Sequence, residues 1–398
     1  MLGAGLAGVT TAWYLAREGH EVVVIDREPE VAAAASSANT GIVAASRAYP
    51  WTGGELGRAL RRAMRRFDPE LWLWGMQHLF LKTGGSYRRV LEAKVRLVRY
   101  SQPLLHELAG EIGFTGFNAG VLYLYRDAEA LDDAWTRAER MRGHGFSIER
   151  LDRAQLAQRE PAIDAARLAG ALFAPGDEAG DAARFCRELA ARCRPLGVSF
   201  SLENDILSIE HSNVQVREVV TRKGSVRADA FVCALGVMDR RLREQLGTHV
   251  PVYPVTGFSA TLPIVRPDGA PRRAAIDESR RVAYAPLGTD LRVTGGVEFA
   301  GYARECTPAD LAPLYDTVKQ LFPGAVDYAA AGARACRRPM TPETTPRFGT
   351  GRYQNLWFNI GLGHMGLALA AGAARITADL VCGHNPAIDL DGLHIRRH

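Results

Sequence analysis

The sequence predicts an α/β fold in which the segments of one parallel sheet alternate along the chain with a second, strand-rich unit. Three observations support this prediction. A GxGxxG loop at Gly3–Gly8 leads into a helical pattern and then into a buried strand. An apolar strand late in the chain runs into a second glycine-rich turn at 361–366. Between them, residues 250–330 are rich in strand patterns with Pro and Gly turns. The 398 residues correspond to two or three domains.

The opening loop indicates a dinucleotide site. Its glycines turn the backbone tightly and allow a pyrophosphate to rest on the next helix N-terminus. Val9–Glu18 has apolar residues at helical spacing, and Glu21–Asp26 is an apolar run that ends in an acid. Asp26 lies 18 residues after Gly8, near the roughly 20 expected of a carboxylate that accepts from a ribose hydroxyl. This order of loop, helix, strand and acid predicts a Rossmann-like unit. The alternative for Asp26 is that it only caps the end of the strand. The fingerprint does not separate FAD from NAD.

Only Met1 and Leu2 precede the loop, where a central strand normally stands. Loss of that strand would expose the edges of both neighbouring strands. We therefore expect that the true start lies upstream of Met1, that the cofactor sits in a weakened cradle, or that another segment fills the gap.

Composition narrows the class of protein. Hydrophobic residues at 47% and charged residues at 23% are ordinary for a globular protein, and a net charge of +5 does not indicate nucleic acid. Six scattered cysteines without a CxxC pair fit a reducing compartment and argue against a zinc site. No apolar run reaches the roughly 18 residues that span a bilayer, and the N-terminus lacks signal-peptide features. We expect a cytoplasmic protein without a metal, either free or peripheral on the inner membrane.

Residues 46–140 are predicted to be helical and basic. Arginines at helical spacing share one face, and an apolar, aromatic stretch follows them directly up to Leu81; the arginines are Arg58, Arg61, Arg62 and Arg65, and the stretch begins at Phe67. A basic face beside aromatic residues can lie on an anionic membrane. The alternative for 58–81 is a solvated helix packed over an apolar core.

Later segments complete the two units. Strands are predicted at 120–125, 198–202, 214–220 and 228–236, with a helix at 181–195. The strand within 355–366 precedes an Ala-rich helix at 367–381. A glycine-rich turn before a helix aims several N–H groups and a positive helix end at one point, which suits the electron-rich end of a reduced flavin. The alternative is tight helix–sheet packing by glycine.

Specific motifs occur in a recognisable order over nearly the whole chain. They are Gly3–Gly8 with Trp13-Tyr14-Leu15, Gly19–Val22 with Val24–Pro29, Ser36–Gly41, Pro175–Asp181, Pro251–Pro254 with Gly257, Arg338–Pro342 and Asn355–Gly366. Together they resemble the FAD-dependent D-amino acid oxidase superfamily and, within it, the bacterial D-amino acid dehydrogenases (small subunit).

The resemblance implies FAD and two interleaved domains. Residues 1–45, 141–240 and 331–398 would form the Rossmann-like FAD-binding domain, and 46–140 with 241–330 an antiparallel-sheet substrate domain. The implied cofactor-binding residues are Gly3, Gly5, Leu6, Ala7, Gly8, Asp26, Arg27, Ser36, Asn39, Thr40, Gly41, Ile206, Ala234, Gly236, Gly361, Gly363, His364, Met365 and Gly366.

The resemblance also implies a reaction. A D-amino acid would lose hydride from Cα to FAD, its imino acid would hydrolyse to a 2-keto acid and ammonia, and electrons would pass to a quinone or another acceptor. Arg338, followed by a proline, would grip the substrate carboxylate with its guanidinium fork, although a structural ion pair is the alternative. Tyr253 and His364 are candidates to line the pocket, with packing as the alternative for Tyr253.

The chain departs from its relatives near the expected flavin. Relatives usually have a histidine where this chain has Leu362 and a threonine where it has His364. They usually have Gly-Leu in place of Cys336-Arg337 and a lysine in place of Thr256. These departures motivate a second hypothesis, a flavoenzyme for a cyclic or secondary amino acid or a specialised amine. The absent first strand motivates a third, a degenerate flavin-fold binding protein. An NAD dehydrogenase is disfavoured by the second glycine-rich turn.

Overall fold

The computed structural model describes residues 1–50, 54–64, 68–81 and 84–395. In chain order the helices and strands are α1 (Leu6–Arg17), β1 (Val23–Ile25), β2 (Ile42–Val43), α2 (Gly54–Ala63), α3 (Pro69–Phe80), α4 (Gly84–Ile112), β3 (Asn118–Tyr125), α5 (Ala128–Gly143), β4 (Glu149–Leu151), α6 (Arg153–Arg159), β5 (Gly170–Ala179), α7 (Ala182–Cys193), β6 (Ser199–Ser201), β7 (Ile206–His211), β8 (Val216–Thr221), β9 (Gly224–Val226), β10 (Phe231–Cys233), α8 (Arg240–Gln245), β11 (Tyr253–Pro263), β12 (Ala274–Asp277), β13 (Val282–Leu287), β14 (Asp290–Glu298), α9 (Pro308–Leu321), β15 (Gly332–Met340), β16 (Arg347–Thr350), β17 (Leu356–Ile360) and α10 (Gly366–Val381).

Met1 and Leu2 fill the central position of the parallel sheet. Leu2 forms parallel bridges to Ile25 of β1 and to Cys233 of β10. Its amide donates to Val232 O at 2.8 Å, and the Ala234 amide donates back to Leu2 O at 2.9 Å. The sheet therefore runs β6-β1-Leu2-β10-β17-β16, with β16 antiparallel. The expectation that another segment would fill the gap was wrong, because two residues are enough to bridge both neighbouring strands.

Helices α1, α4, α7 and α10 enclose one large core with this sheet. Small residues allow the helices to approach closely. A Cβ on Gly372 of α10 would stand 2.8 Å from the Ser101 Cβ of α4, and the Gly372 amide donates to Ser101 Oγ at 3.0 Å. The helices predicted at 181–195 and 367–381 correspond to α7 and α10.

A nine-stranded, mostly antiparallel sheet forms the second unit. Its order is β15-β11-β14-β13-β12-β3-β5-β2, and β4 pairs with β5. Only β12 and β3 pair in parallel within it. The α/β fold with a second, antiparallel sheet is thus confirmed. Four of its strands, β2, β4, β5 and β15, come from segments that the sequence assigned to the FAD-binding domain, and the domain boundaries themselves stay a prediction.

One helix in the second unit was missed. α9 interrupts the region predicted as strand-rich, and its buried residues recur at helical spacing: Leu311, Leu314, Val318 and Leu321. These side chains cover the outer face of the nine-stranded sheet together with Phe322. The other face of the nine-stranded sheet is turned toward the parallel sheet, and the cavity described below lies between the two sheets.

The 46–140 segment is helical as predicted, with the strand predicted at 120–125 observed as β3. Arg58, Arg61 and Arg62 are exposed on α2. Arg65 and Phe67, which belonged to the predicted basic face and aromatic stretch, lie outside the described residues.

The substitution Gly8→Ala tests how closely α1 packs on the opening loop. A Cβ on Gly8 would stand 1.8 Å from Gly3 O, so we expect Gly8→Ala to push α1 off the loop. Overpacking of this kind lowers the free energy of unfolding by about 2 kcal/mol, and FAD affinity should fall with it. Chemical denaturation and FAD titration measure both effects.

The matched control is Gly110→Ala. Gly110 is an exposed residue of α4, and no described atom outside its own helix lies within 4 Å of the position that its Cβ would take. There alanine should raise the unfolding free energy by about 0.5–1 kcal/mol. Equal effects of the two substitutions would contradict the close contact at Gly8.

Candidate active site

A cavity of about 720 Å³ lies between the parallel sheet and the inner face of the nine-stranded sheet. This volume falls within the range of small-molecule and cofactor sites. Most of the residues predicted from the sequence line it: Gly3, Gly5, Leu6, Ala7, Asp26, Arg27, Ser36, Asn39, Thr40, Ile206, Ala234, Gly236, Arg338, Gly361, Gly363, His364, Met365 and Gly366.

At one end of the cavity, the backbone fixes the Asp26 carboxylate. Its Oδ2 accepts from the Ala4 amide at 2.6 Å and its Oδ1 accepts from the Glu28 amide at 2.9 Å. Arg27 and Ile206 line the same end. An acid held in place at the end of β1 suits hydrogen bonds from a ribose.

Glycines shape the adjoining loop. Gly3 has φ +106°, and a Cβ on it would stand 2.9 Å from Ala234 O. Two predicted glycines do not line the cavity: Gly8 packs against Gly3 O, and a Cβ on Gly41 would stand 1.8 Å from Gly180 O. Gly8 and Gly41 therefore let neighbouring backbone close up behind the cavity wall.

The other end of the cavity contains the second glycine-rich turn. Gly361 and Gly363 have φ values of +76° and +60°. Helix α10 begins directly after Met365, whose side chain does not cap it. Nearby, the buried Asn359 Oδ1 has no hydrogen-bond partner among the described residues, although its Nδ2 donates to Thr11 Oγ1 at 3.1 Å. An uncapped helix start and an unsatisfied acceptor facing a cavity are features that a polar ligand would complete.

Arg338 extends over the inner face of the nine-stranded sheet. Its guanidinium lies where a side chain of Gly257 would be, since a Cβ there would come within 2.4 Å of both terminal nitrogens. The Nη1 group donates to Gly296 O at 3.0 Å. Gly257 on β11 and Gly296 on β14 thus fix the side chain of a β15 residue across two neighbouring strands.

A cluster around Arg47 was missed by sequence reasoning. Arg47 donates to Tyr125 OH and to Glu278 Oε1, both at 2.8 Å, and to the Tyr49 hydroxyl. Its guanidinium lies 3.9 Å from the centre of the Tyr123 ring. Arg47, Tyr49 and Glu278 line the cavity. No local motif marks them, because strand pairing and the turn before α2 bring them together.

Tyr253 lies outside the cavity lining. It is buried, donates its hydroxyl to Asp68 Oδ2 at 2.8 Å and packs beside Phe299 with ring centroids 5.9 Å apart. Of the two alternatives for this residue, the geometry favours packing.

His364 lines the cavity within the turn Gly361–Gly366, and the charges of Lys94 and Arg338 act on it. Burial first, then the charges of Lys94 and Arg338, hold the pKa of His364 well below its ordinary range. Burial also lowers the pKa of Lys94 to about 7. The imidazole is therefore neutral at pH 7.

The residues that line the cavity fit FAD. A carboxylate for the ribose lies at one end, the uncapped start of α10 lies at the other, and the glycine loop with α1 lies between them. Among the described residues, no cluster of three or more His, Cys, Asp or Glu is arranged to bind a metal ion. No described helix combines the length and apolar character needed to cross a bilayer.

Comparison with known proteins identifies the class. Residues 2–380 match the FAD dependent oxidoreductase (DAO) family, and the chain belongs to that family. The protein is thus an FAD-dependent oxidoreductase, as the resemblance implied.

Individual relatives match the chain from end to end. D-amino acid dehydrogenase of Paramagnetospirillum magneticum is 36% identical over 414 residues, covering 100% of this chain and 98% of the relative. That of Rhizorhabdus wittichii is 38% identical over 412 residues, covering 100% and 99%. Among solved structures, glycine oxidase of Geobacillus kaustophilus superposes with a TM-score of 0.80 at 21% identity, covering 100% of this chain and 97% of that one. At that identity the superposition shows the fold alone.

Buried Lys94 should make stability depend on pH. Its folded pKa of about 7 lies below the ordinary lysine pKa of 10.5, so between these pH values the unfolded chain binds more protons and stability rises with pH. Lys94→Met should therefore raise the unfolding free energy by up to about 4 kcal/mol near pH 7. The gain should shrink as the pH approaches 10.

Urea unfolding of both proteins from pH 6 to 10 measures this difference. Lys223→Met, at an exposed lysine, is the control and should show no comparable trend. A Lys94→Met difference that stays constant over this range would contradict a depressed pKa for Lys94.

Proposed function

We propose that the protein oxidatively deaminates D-amino acids. The observation that supports this function best is Arg338, whose guanidinium is held over Gly257 at the cavity wall. A guanidinium fork binds a carboxylate with two parallel hydrogen bonds. Relatives at 36–38% identity over the whole chain are D-amino acid dehydrogenases, which favours the same substrate class here.

In the proposed mechanism the chain mainly binds and orients. Arg338 holds the substrate carboxylate, which directs Cα toward the turn Gly361–Gly366, and the N-terminus of α10 adds positive potential there. The chemistry that FAD supplies when bound is acceptance of hydride from Cα. The imino acid product hydrolyses with water to a 2-keto acid and ammonia. Positioning of this kind accounts for much of the rate in such reactions.

We propose that the cofactor residues predicted from the sequence contact FAD along the cavity, from the adenosine through the pyrophosphate to the flavin. Asp26, Arg27 and Ile206 would contact the adenosine, the loop at Gly3–Gly8 with Ser36 the pyrophosphate, and Asn39 with the turn at 361–366 the flavin. Their shared cavity supports this assignment. We propose the two-domain division given above, with β2, β4, β5 and β15 assigned to the substrate domain because they belong to the nine-stranded sheet.

Arg338→Ala tests the carboxylate contact. Loss of a buried charge pair worth about 3 kcal/mol should raise KM for a D-amino acid by about a hundredfold or more. Gly257→Ala should act in the same direction, because its methyl group would displace the guanidinium. Steady-state kinetics with a dye acceptor provide the readout.

Arg227→Ala is the control. Arg227 is an exposed arginine outside the cavity lining, and its Nε donates to Glu218 Oε2 at 2.8 Å. Its KM should stay close to that of the parent protein. An unchanged KM in Arg338→Ala would remove this arginine from the substrate site.

We further propose that α3 touches an anionic membrane surface and that electrons pass there to a quinone or another acceptor. Five of the ten large hydrophobic side chains that are exposed among the described residues lie on α3: Trp72, Leu73, Met76, Leu79 and Phe80, with Phe80 64% exposed. Their spacing places them on one face, while Leu71 and Trp74 face the core. The exposed arginines of neighbouring α2 complement anionic lipid.

Sedimentation with vesicles of anionic lipid tests this contact. The double variant Trp72→Ser, Phe80→Ser should lose most of the bound fraction, and so should the parent protein in high salt. The control variant Leu207→Ser, Val214→Ser changes exposed apolar residues elsewhere and should bind as the parent does. Equal binding by both double variants would contradict a role for α3.

A further inference from the structure

Arg292 of β14 is a partly buried cation for which the proposed reaction has no role. No carboxylate of the described residues forms an ion pair with it. Its Nη1 group instead donates to two backbone carbonyls, Ser37 O and Asn39 O, the second at 3.2 Å. Its Nε donates at 2.8 Å to the hydroxyl of Thr261, its cross-strand partner on β11. A charge taken out of water is costly unless hydrogen bonds compensate it, so these contacts fix where the guanidinium lies.

The loop at 35–40, which contains both carbonyls, is attached to the nine-stranded sheet at further points. Arg334 of β15 donates to Ser37 Oγ at 2.6 Å. The hydroxyls of Thr40 and Thr294 hydrogen-bond to each other. Each of these two contacts is made by a side chain of the loop, whereas the β14 arginine binds the loop backbone at two residues. The arginine therefore constrains the path of the chain more directly than they do.

On its other side, the loop brings two cavity-lining side chains to the starts of α1 and α10. Ser36 Oγ accepts from the Leu6 amide at 3.2 Å. Asn39 Nδ2 lies 3.9 Å from the position that a Cβ on Gly366 would take. The Asn39 Oδ1 accepts from the Gly41 amide at 2.8 Å, while its Nδ2 has no acceptor among the described residues. This donor is therefore available to a ligand in the cavity.

We infer that Arg292 is a positioning residue for FAD: from outside the cavity lining, it holds the loop at 35–40 so that Ser36 and Asn39 face the cofactor. This inference rests on the contacts of those two residues with FAD that are proposed above, and it does not depend on the substrate. A loop that is fixed before a ligand arrives loses less conformational freedom when the ligand binds. The sheet that bears Arg338 would thereby also hold part of the FAD cradle.

Two substitutions of Arg292 separate its hydrogen bonds from its charge. Arg292→Met removes every donor and keeps a long side chain. Arg292→Lys keeps the charge, but an ammonium group on a flexible stem does not reproduce the planar fork that reaches Thr261 and the loop carbonyls together. We therefore expect FAD to bind most tightly to the parent protein, less tightly to Arg292→Lys and least tightly to Arg292→Met.

The experiment is a calorimetric titration of the full chain, freed of FAD, with FAD and separately with AMP. AMP carries the adenosine and one phosphate, so it would occupy the Asp26 end of the cavity without reaching Asn39. Arg292→Met should raise Kd for FAD by about tenfold or more, because it removes hydrogen bonds from a charged donor. It should change Kd for AMP by less than about threefold, since the Asp26 end is held by other contacts.

Arg96→Met is the matched control. Arg96 of α4 also donates to two backbone carbonyls, Asp389 O at 2.7 Å and Asp391 O at 2.9 Å, and it lies outside the cavity lining. Its Kd for FAD should stay close to that of the parent protein. Thr261→Val removes only the hydroxyl that receives the Nε proton of Arg292, and it replaces Arg292→Met if that variant does not fold. It should raise Kd for FAD by about threefold.

Equal FAD affinities in Arg292→Met and Arg96→Met, or in Thr261→Val and the parent protein, would overturn the inference. Equal losses of FAD and AMP binding would also overturn it, because a general loss of structure weakens both. The double variant Ser36→Ala, Asn39→Ala tests the contacts on which the inference rests. If it binds FAD as tightly as the parent does, those proposed contacts fail. If it binds FAD weakly while Arg292→Met binds normally, only the role of Arg292 fails.

Discussion

Backbone hydrogen bonds made by Met1 and Leu2 hold the arrangement together. Leu2 pairs with both β1 and β10, and the Gly3 amide donates to Ile25 O at 2.8 Å. These bonds set the direction in which the chain enters the glycine loop. Asp26 then holds the Ala4 amide, and Gly8 lets α1 pack on Gly3. The cradle for a dinucleotide thus depends on the pairing of Leu2 at the centre of the sheet.

The second unit completes the site by facing that cradle. Along its inner face, register places Gly257, Gly296 and Arg338 beside one another although they come from three strands. Thr40, from the cofactor side, hydrogen-bonds to Thr294 of this sheet. The proposed substrate site therefore lies where the two sheets meet, and it takes residues from both. Sites at such junctions are common for cofactor enzymes.

Sequence reasoning found the parts that local patterns encode. The glycine loop, Asp26 and the turn before α10 each occupy a few consecutive residues, so spacing alone identified them. Arg338 was found through its motif, and its neighbour Gly257 lay within another. Arg47, Glu278 and Lys94 carry no such signal, since strand register and helix packing create their contacts. Tyr253 is the opposite case: it belongs to a recognised motif and was predicted to line the pocket, but its hydroxyl donates to Asp68 at the start of α3.

The most direct test of the central claim is the visible spectrum of the purified protein without oxygen, before and after addition of D- and L-amino acids and cyclic imino acids. We expect a flavin band that bleaches with D-amino acids and persists with their L-enantiomers. A protein that holds FAD but keeps its band with every amino acid would contradict the proposed substrate. Failure to bind FAD at all would contradict the cofactor cradle formed by the glycine loop and the turn before α10.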